Sequence, residues 1–291
     1  VTTAHRALCR RLGALAIVPF LVASSAAAQC RPPARSHEAR LLAFYEAPLV
    51  FSIAGAPERV TLGDVRVGVE AGSIPSPHAA LQQPEFCYQP HTENTRLAAA
   101  FGRPRVTVGL PAGFALDASY LPPVTIGGAT PNLGSVALSR VTSMVAAGLQ
   151  ASVSLRAHTT FGSVRGAITC SASALQSADP TAPCYGTRPS RDTFRPGMVG
   201  GDGALGIAGR GGRLALYAGG GVTWLRPRFQ VGFTDAVGTL DTTRVEVKLV
   251  RGSVFGGITA RVTRALAISS EVYSVPADAT TLRVAAQYRL R

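Results

Sequence analysis

The sequence predicts an all-β fold: an antiparallel up-and-down transmembrane β-barrel of 10–12 strands. Three observations carry that expectation. Apolar and polar residues alternate with a period of two along most of the chain, as they must when successive side chains point to opposite faces of a strand. Charge is scarce, 15% of 291 residues, where soluble domains average about 25%. Short connectors alternate with long ones, the layout of barrels that cross an outer membrane. Beyond the first segment, no run reaches the roughly 18 apolar residues a membrane helix needs, so any crossing must use strands.

Residues 1–28 read as a secretory signal peptide. Arg6, Arg10 and Arg11 form a basic start without an acid, and Leu12 to Val22 is an apolar run too short to anchor. Ala26, Ala27 and Ala28 then offer the small residues expected before a cut at Gln29. Export permits disulfides. Four cysteines follow the cut, Cys30, Cys87, Cys170 and Cys184, and four allow three pairings. The short interval favours Cys170–Cys184, which leaves Cys30–Cys87. Residues 29–60 are expected to be a periplasmic lead-in with no assigned element, and residues 61–291 the barrel.

Within the barrel, Val65, Val67 and Val69 oppose Arg66 and Glu70. Phe114, Leu116, Ala118 and Tyr120 oppose Asp117 and Ser119. Leu149, Ala151, Val153, Leu155 and Ala157 oppose Gln150, Ser152, Ser154, Arg156 and His158. Leu214, Leu216, Ala218, Val222 and Trp224 oppose Arg213, Tyr217 and Thr223. Val254, Ile258, Ala260 and Val262 oppose Thr259 and Arg261. Leu282, Val284, Ala286, Tyr288 and Leu290 oppose Arg283, Gln287 and Arg289. Eleven strands are expected, at 62–71, 103–110, 114–121, 133–141, 144–158, 161–170, 198–209, 213–226, 252–262, 265–275 and 281–290. A further one is available at 48–54 or 124–128, and because barrels favour even counts the total becomes ten or twelve. Tight turns are expected at Thr159-Thr160, at 209–212 and at Thr263-Arg264, and long loops at 72–102, 171–197 and 227–251. A soluble β-sandwich would alternate too. The small residues on many apolar faces, and Arg and Gln deep within the polar ones, favour the membrane barrel.

The net charge of +13 comes from arginine almost alone, Lys248 being the sole lysine. The arginines are scattered through alternating segments, without a basic helix, so no nucleic-acid partner is expected. Gly201, Gly203 and Gly206 match the spacing of a dinucleotide turn. That turn needs a helix after it, and Gly209, Gly211 and Gly212 oppose one, so strand glycines are expected. No catalytic constellation assembles: Ser154 and His158 share a face but lie about 13 Å apart along a strand. No enzyme, cofactor or metal is expected. Asp235, Asp241 and Glu246 in the long 227–251 loop match no calcium-loop spacing.

Together, the signal, the alternation, the connector pattern and the closing segment Leu282 to Leu290 resemble Gram-negative outer-membrane β-barrel proteins. The resemblance implies outer-membrane lipid as surroundings and the barrel-insertion machinery as a partner during assembly. Members of that class usually end on an aromatic residue; here Tyr288 precedes Arg289-Leu290-Arg291. Phe114, Tyr120, Trp224 and Tyr288 are the expected membrane-interface aromatics. The lumen candidates are Arg156, Arg165, Arg261, Arg283 and Arg289, with Asp117 and Glu271 as the acids. Two readings of that lumen compete. Arginines in a water-filled, porin-like lumen would pass small solutes, anions preferentially. Paired with Asp117 and Glu271, they would instead plug a closed barrel that serves as a structural or surface-interaction protein through its loops. A soluble periplasmic β-protein that binds a ligand is the third reading.

Overall fold

The computed structural model describes residues 29–88, 91–95, 98–146, 149–209 and 211–290. Ten antiparallel strands form the wall: β1 Val65–Ser73, β2 Ala100–Gly109, β3 Phe114–Leu121, β4 Thr130–Ala146, β5 Leu149–Gly166, β6 Met198–Ala208, β7 Leu214–Leu225, β8 Leu249–Arg261, β9 Leu266–Val275 and β10 Ala279–Arg289. Each pairs with its neighbour in sequence. β10 returns to β1, with Arg283 opposite Gly72 and Arg289 opposite Arg66, so the sheet closes on itself. Closure leaves no strand edge unpaired, which is what a sheet needs in hydrocarbon, where no water can satisfy a backbone group.

The expected fold class is therefore present, with ten strands. The count falls from eleven because the strands expected at 144–158 and 161–170 are one, β5. Thr159 and Thr160 are not a turn; they pair across the wall with Val136 and Ser135 of β4. β4 runs on to Ala146, past the break expected near 142. Two threonines are ordinary strand residues, and without glycine, asparagine or proline they gave no true turn signal. Neither reserve candidate is a wall strand. Residues 124–128 lie in the connector between β3 and β4, and residues 48–54 lie inside the barrel.

The connectors at one end are short, 110–113, 209–213 and 262–265. Those at the other are mostly long, 74–99, 122–129, 167–197 and 226–248, with a brief link at 276–278. Outward-facing side chains are apolar and exposed: Val69, Leu155, Leu205, Leu216, Val254 and Leu282 are each more than half accessible. Along β7 the band from Leu214 to Trp224 is ten steps, about 33 Å of strand, which at a tilt near 40° covers about 25 Å of membrane thickness. Inward-facing positions are polar and buried, among them Glu70, Arg103, Asp117, Arg156, Glu271 and Arg283.

The segment expected as a periplasmic lead-in is placed differently. Helix α1, His37–Leu49, starts under the long-loop end, capped by Ser36, whose Oγ accepts from Ala39 N–H at 3.1 Å. From its C-terminus, residues 50–58 run down the lumen to the short-turn end, with Ala54 at φ +49° midway. Side chains alone fill a barrel of about eight strands. Ten strands leave more room, and this segment takes it.

Over the long-loop end, β5 changes partner. Its lower part pairs with β6 up to Thr160 opposite Met198; its top, from Val164, pairs with a short strand at Asp192–Arg195. Gly162, at φ +124°, sits between the two pairings in a conformation that residues with a Cβ rarely adopt. The sheet then continues outward through Arg228–Gln230, Arg244–Glu246 and, in parallel, Gln29–Cys30. Phe194, Phe229, Val231, Val245 and Val247 of this cap share one apolar core with Leu42, Ala43 and Phe44 of α1. Both expected disulfides are formed, Cys30–Cys87 and Cys170–Cys184. The signal segment 1–28 lies outside the described residues.

Candidate functional site

The last carbonyls of any helix lack partners within it. In α1, Pro48 worsens the deficit by removing one N–H. The last turn of α1 carries no basic residue of its own; the barrel wall supplies the cations. Arg283 on β10, fully buried, donates to the carbonyls of Ala47 (3.2 Å), Pro48 (3.2 Å) and Val50 (2.9 Å). Arg103 on β2 donates to Leu49 (3.3 Å) and Val50 (3.3 Å). Two guanidiniums thus cap the helix end, where its dipole is negative. Their charge is met by Glu70 on β1. Arg103 bonds it through two nitrogens at 2.8 and 3.2 Å, and Arg105 through one at 2.8 Å. Arg283 Nη1 stands 3.9 Å from Glu70 and 4.0 Å from Glu271.

Below the helix the segment descends in steps of two. Phe51 is wholly buried, with the guanidiniums of Arg103, Arg105 and Arg156 at 4.8, 4.4 and 4.9 Å from its ring centre. Arg156 also donates to the Phe51 carbonyl and to Asp202 at 3.2 Å. Ser52 Oγ donates to Glu271 at 2.6 Å, and Ala54 N–H to the same carboxylate at 3.2 Å. Ser269 donates to the Ala54 carbonyl at 2.5 Å, and Ala56 N–H donates to Thr259 Oγ1 at 2.8 Å. At the short-turn mouth, Glu58 gathers Arg66 (3.1 Å), Arg261 (3.0 Å) and Arg289 (2.7 Å). The segment thus leads from Val50, bonded by Arg283 at the helix end, to Glu58 at the short-turn mouth.

Of the expected lumen residues, Arg156, Arg283, Asp117 and Glu271 face the interior, and Arg261 and Arg289 stand at its mouth on Glu58. Asp117 accepts from Thr107 on β2 and pairs with no arginine among the described residues. Arg165 is the correction. It is exposed, because β5 runs unbroken and parity puts residue 165 on the face opposite Arg156. The misplaced turn at 159–160 had reset that parity. Of the expected interface aromatics, Tyr120 and Trp224 stand near the long-loop ends of their strands, and Phe114 and Tyr288 near the short-turn ends; all but half-buried Phe114 are exposed.

Sequence reasoning missed Arg103, Arg105, Asp202 and Phe51. The first two had a signal: Phe101, Arg103, Arg105 and Thr107 share one face at period two. Asp202 hid among the strand glycines. Gly201, Gly203 and Gly206 do lie on a strand, β6, with no helix after them. His158 lies mid-strand, its Nε2 3.5 Å from Asp202. Asp235 and Asp241 accept backbone N–H groups within their own turns, and Glu246 pairs with Arg228, so the three do not converge. Among the described residues, no group of three or more metal-ligating side chains assembles.

No family model matches this chain, and no curated protein does. Among solved structures, the chain is similar to Ail, the attachment invasion locus protein of Yersinia pestis, with 8% identity and a TM-score of 0.21 over 79% of this chain and 100% of that one. It is also similar to the outer membrane protein Omp33 of Acinetobacter baumannii (10%, 0.25, 78% and 98%). A third match is a mutant of TodX, a monoaromatic hydrocarbon channel (11%, 0.29, 78% and 67%). At those scores the likeness carries no functional argument. The barrel fold stands on this chain's own strand register and on the distribution of its apolar surface.

Proposed function

We propose that this protein is a sealed outer-membrane barrel that acts through its long-loop face as a structural or surface-interaction protein, and is not an open solute pore. One observation carries the reading: residues 47–58 occupy the lumen and are bonded to the wall at every second step, from Arg283 at Val50 to Arg289 at Glu58. Each arginine along that path has a carboxylate partner within 4.0 Å. Withdrawing the segment would strand Arg103, Arg105 and Arg283 around two carboxylates, Glu70 and Glu271, and buried unpaired charge costs several kcal/mol. The membrane setting is supported by the continuous apolar outer band and the aromatics at both of its rims. Outer-membrane lipid is then its solvent, and the barrel-insertion machinery its route there.

Two measurements test the reading. Folded protein should fractionate with outer membranes and need detergent once extracted; recovery as a soluble periplasmic species would end the membrane half. Liposomes carrying the refolded chain should swell no faster in a small sugar than empty ones. Rapid swelling would end the sealed half.

A further inference from the structure

Between α1 and the long connectors lies a cavity of about 120 Å³. An engineered cavity of about 150 Å³ holds benzene, so this one has room on the order of a single aromatic ring. Four rings stand around it: Tyr45 and Phe194, 6.5 Å apart, and Tyr88 and Phe229, also 6.5 Å apart. Two carboxylates reach it, Glu38 and Glu93, and no Lys, Arg or His is among its described lining residues.

Both acids are more than nine-tenths buried, and Glu38 has an oxygen without a partner. Glu38 accepts the N–H groups of Glu85 (2.8 Å), Phe86 (2.6 Å) and Cys87 (3.0 Å) on Oε1 alone. Its Oε2 is buried and without a partner among the described residues. Glu93 lines the same cavity, and the Thr95 and Tyr88 hydroxyl oxygens, which also line it, are buried without a partner among the described residues. A closed apolar niche would not keep so many unmet polar atoms, because each costs free energy when buried unpaired.

We infer that this cavity is a binding site for a small aromatic amine in its ammonium form, the ring held among the four aromatic side chains and the cation directed to Glu38 and Glu93. The chemistry is complementary at each point. Aromatic faces attract cations, more strongly where water is excluded. A buried carboxylate is stabilised by a bonded counter-charge. The site lies in the loop-end cap, so it stands whether or not the lumen conducts.

The protonation of Glu93 supplies a second readout. Burial, then the negative charges of Asp192 and Glu38, push its carboxyl up to about 8. Asp192 does not compete for the ligand: it already accepts the N–H groups of Ile168, Thr169 and Gly232 and the hydroxyl of Ser190. Glu38, despite burial, is held below its ordinary value by the three backbone N–H groups and is ionised at neutral pH. The other titratable groups close by are Tyr45 on α1, Tyr88 with His91 beside its ring, and Asp241 from the 226–248 connector. An ammonium favours ionised Glu93, so binding near neutral pH should expel a proton.

The experiment is calorimetric titration of the refolded full chain in detergent micelles, with benzylamine, toluene and benzoate as probes and empty micelles as the blank. Benzylamine should bind about tenfold or more tightly at pH 8 than at pH 6, and toluene and benzoate more weakly than benzylamine at pH 8. Glu93→Gln should weaken benzylamine at pH 8 by about tenfold and flatten the pH dependence. No heat from benzylamine at about 10 mM would overturn the inference. So would toluene binding as tightly as the amine, or an affinity independent of pH. The wild-type series decides the matter even should Glu93→Gln fail to fold.

Discussion

Arg283 is the side chain on which the interior turns. It is fully buried, caps three carbonyls at the end of α1, lies over the Tyr273 ring at 4.1 Å and stands between two carboxylates. Arg283→Ala would remove the guanidinium from the Ala47 and Pro48 carbonyls, leave Val50 with Arg103 as its one guanidinium donor, and leave Glu70 short of one cation. A loss of about 3–5 kcal/mol is expected, read as a lowered urea midpoint in detergent. Glu271 shows why the sequence could place a residue and still mistake its role. Its face and its burial were legible from alternation. Its partners were expected to be arginines, yet Arg283 is 4.0 Å away, and the closer bonds come from Ser52, Ala54 and Tyr217 at 2.6, 3.2 and 3.2 Å. Two of those belong to the lumen segment, which no strand pattern announces. Glu271→Gln keeps the shape and removes the charge, so it should also lower the midpoint, by less than Arg283→Ala; an unchanged midpoint would separate the segment from the stability of the wall.

The lumen segment and the loop cap are the elements that alternation alone could not reveal. Period two specifies a wall and says which residues face in; it is silent about what they face. The helix itself had a local signature. Ser36 is a good N-cap, Glu38 sits in the first turn, and Ala39, Leu41, Leu42, Ala43 and Ala47 are strong helix formers. What masked it was its setting, since a helix buried on most of its surface, with Arg40 as its exposed residue, carries little amphipathic stripe. The wall makes room for the segment with small residues. A Cβ on Gly206 would meet Ser152 Oγ at 2.7 Å and Pro57 Cδ at 2.9 Å. Gly206→Val should therefore push the segment off β6, costing about 1–3 kcal/mol by overpacking, and should raise protease sensitivity near Pro57 while the wall still forms. In the cap, the cysteine spacing was fully legible. The Cys170–Cys184 bond closes about 15 residues, worth roughly 3 kcal/mol in the chain-entropy model. Mass spectrometry of the unreduced protein should find the two peptides linked, and two free thiols there would remove that contribution.

At the scale of the molecule, the barrel is a wall built for lipid around a core built like that of a soluble protein. The wall was legible because its physics is local: a strand that faces lipid on one side and a polar interior on the other must alternate. The strand count, expected at ten or twelve, is ten; what the pattern misplaced was a boundary at Thr159-Thr160, where one strand resembled two. Placement in the bilayer follows from the outer face. Trp224, exposed near the long-loop end of β7, should be quenched by lipids labelled near the headgroup and not by labels at the bilayer centre. Whether the interior is a passage or a seal depends on the one feature the alternation left open, and a planar bilayer measures it directly. The full chain, refolded and inserted, should carry no steady current at moderate voltage. Discrete, reproducible conductance steps from the wild-type protein would contradict the sealed barrel.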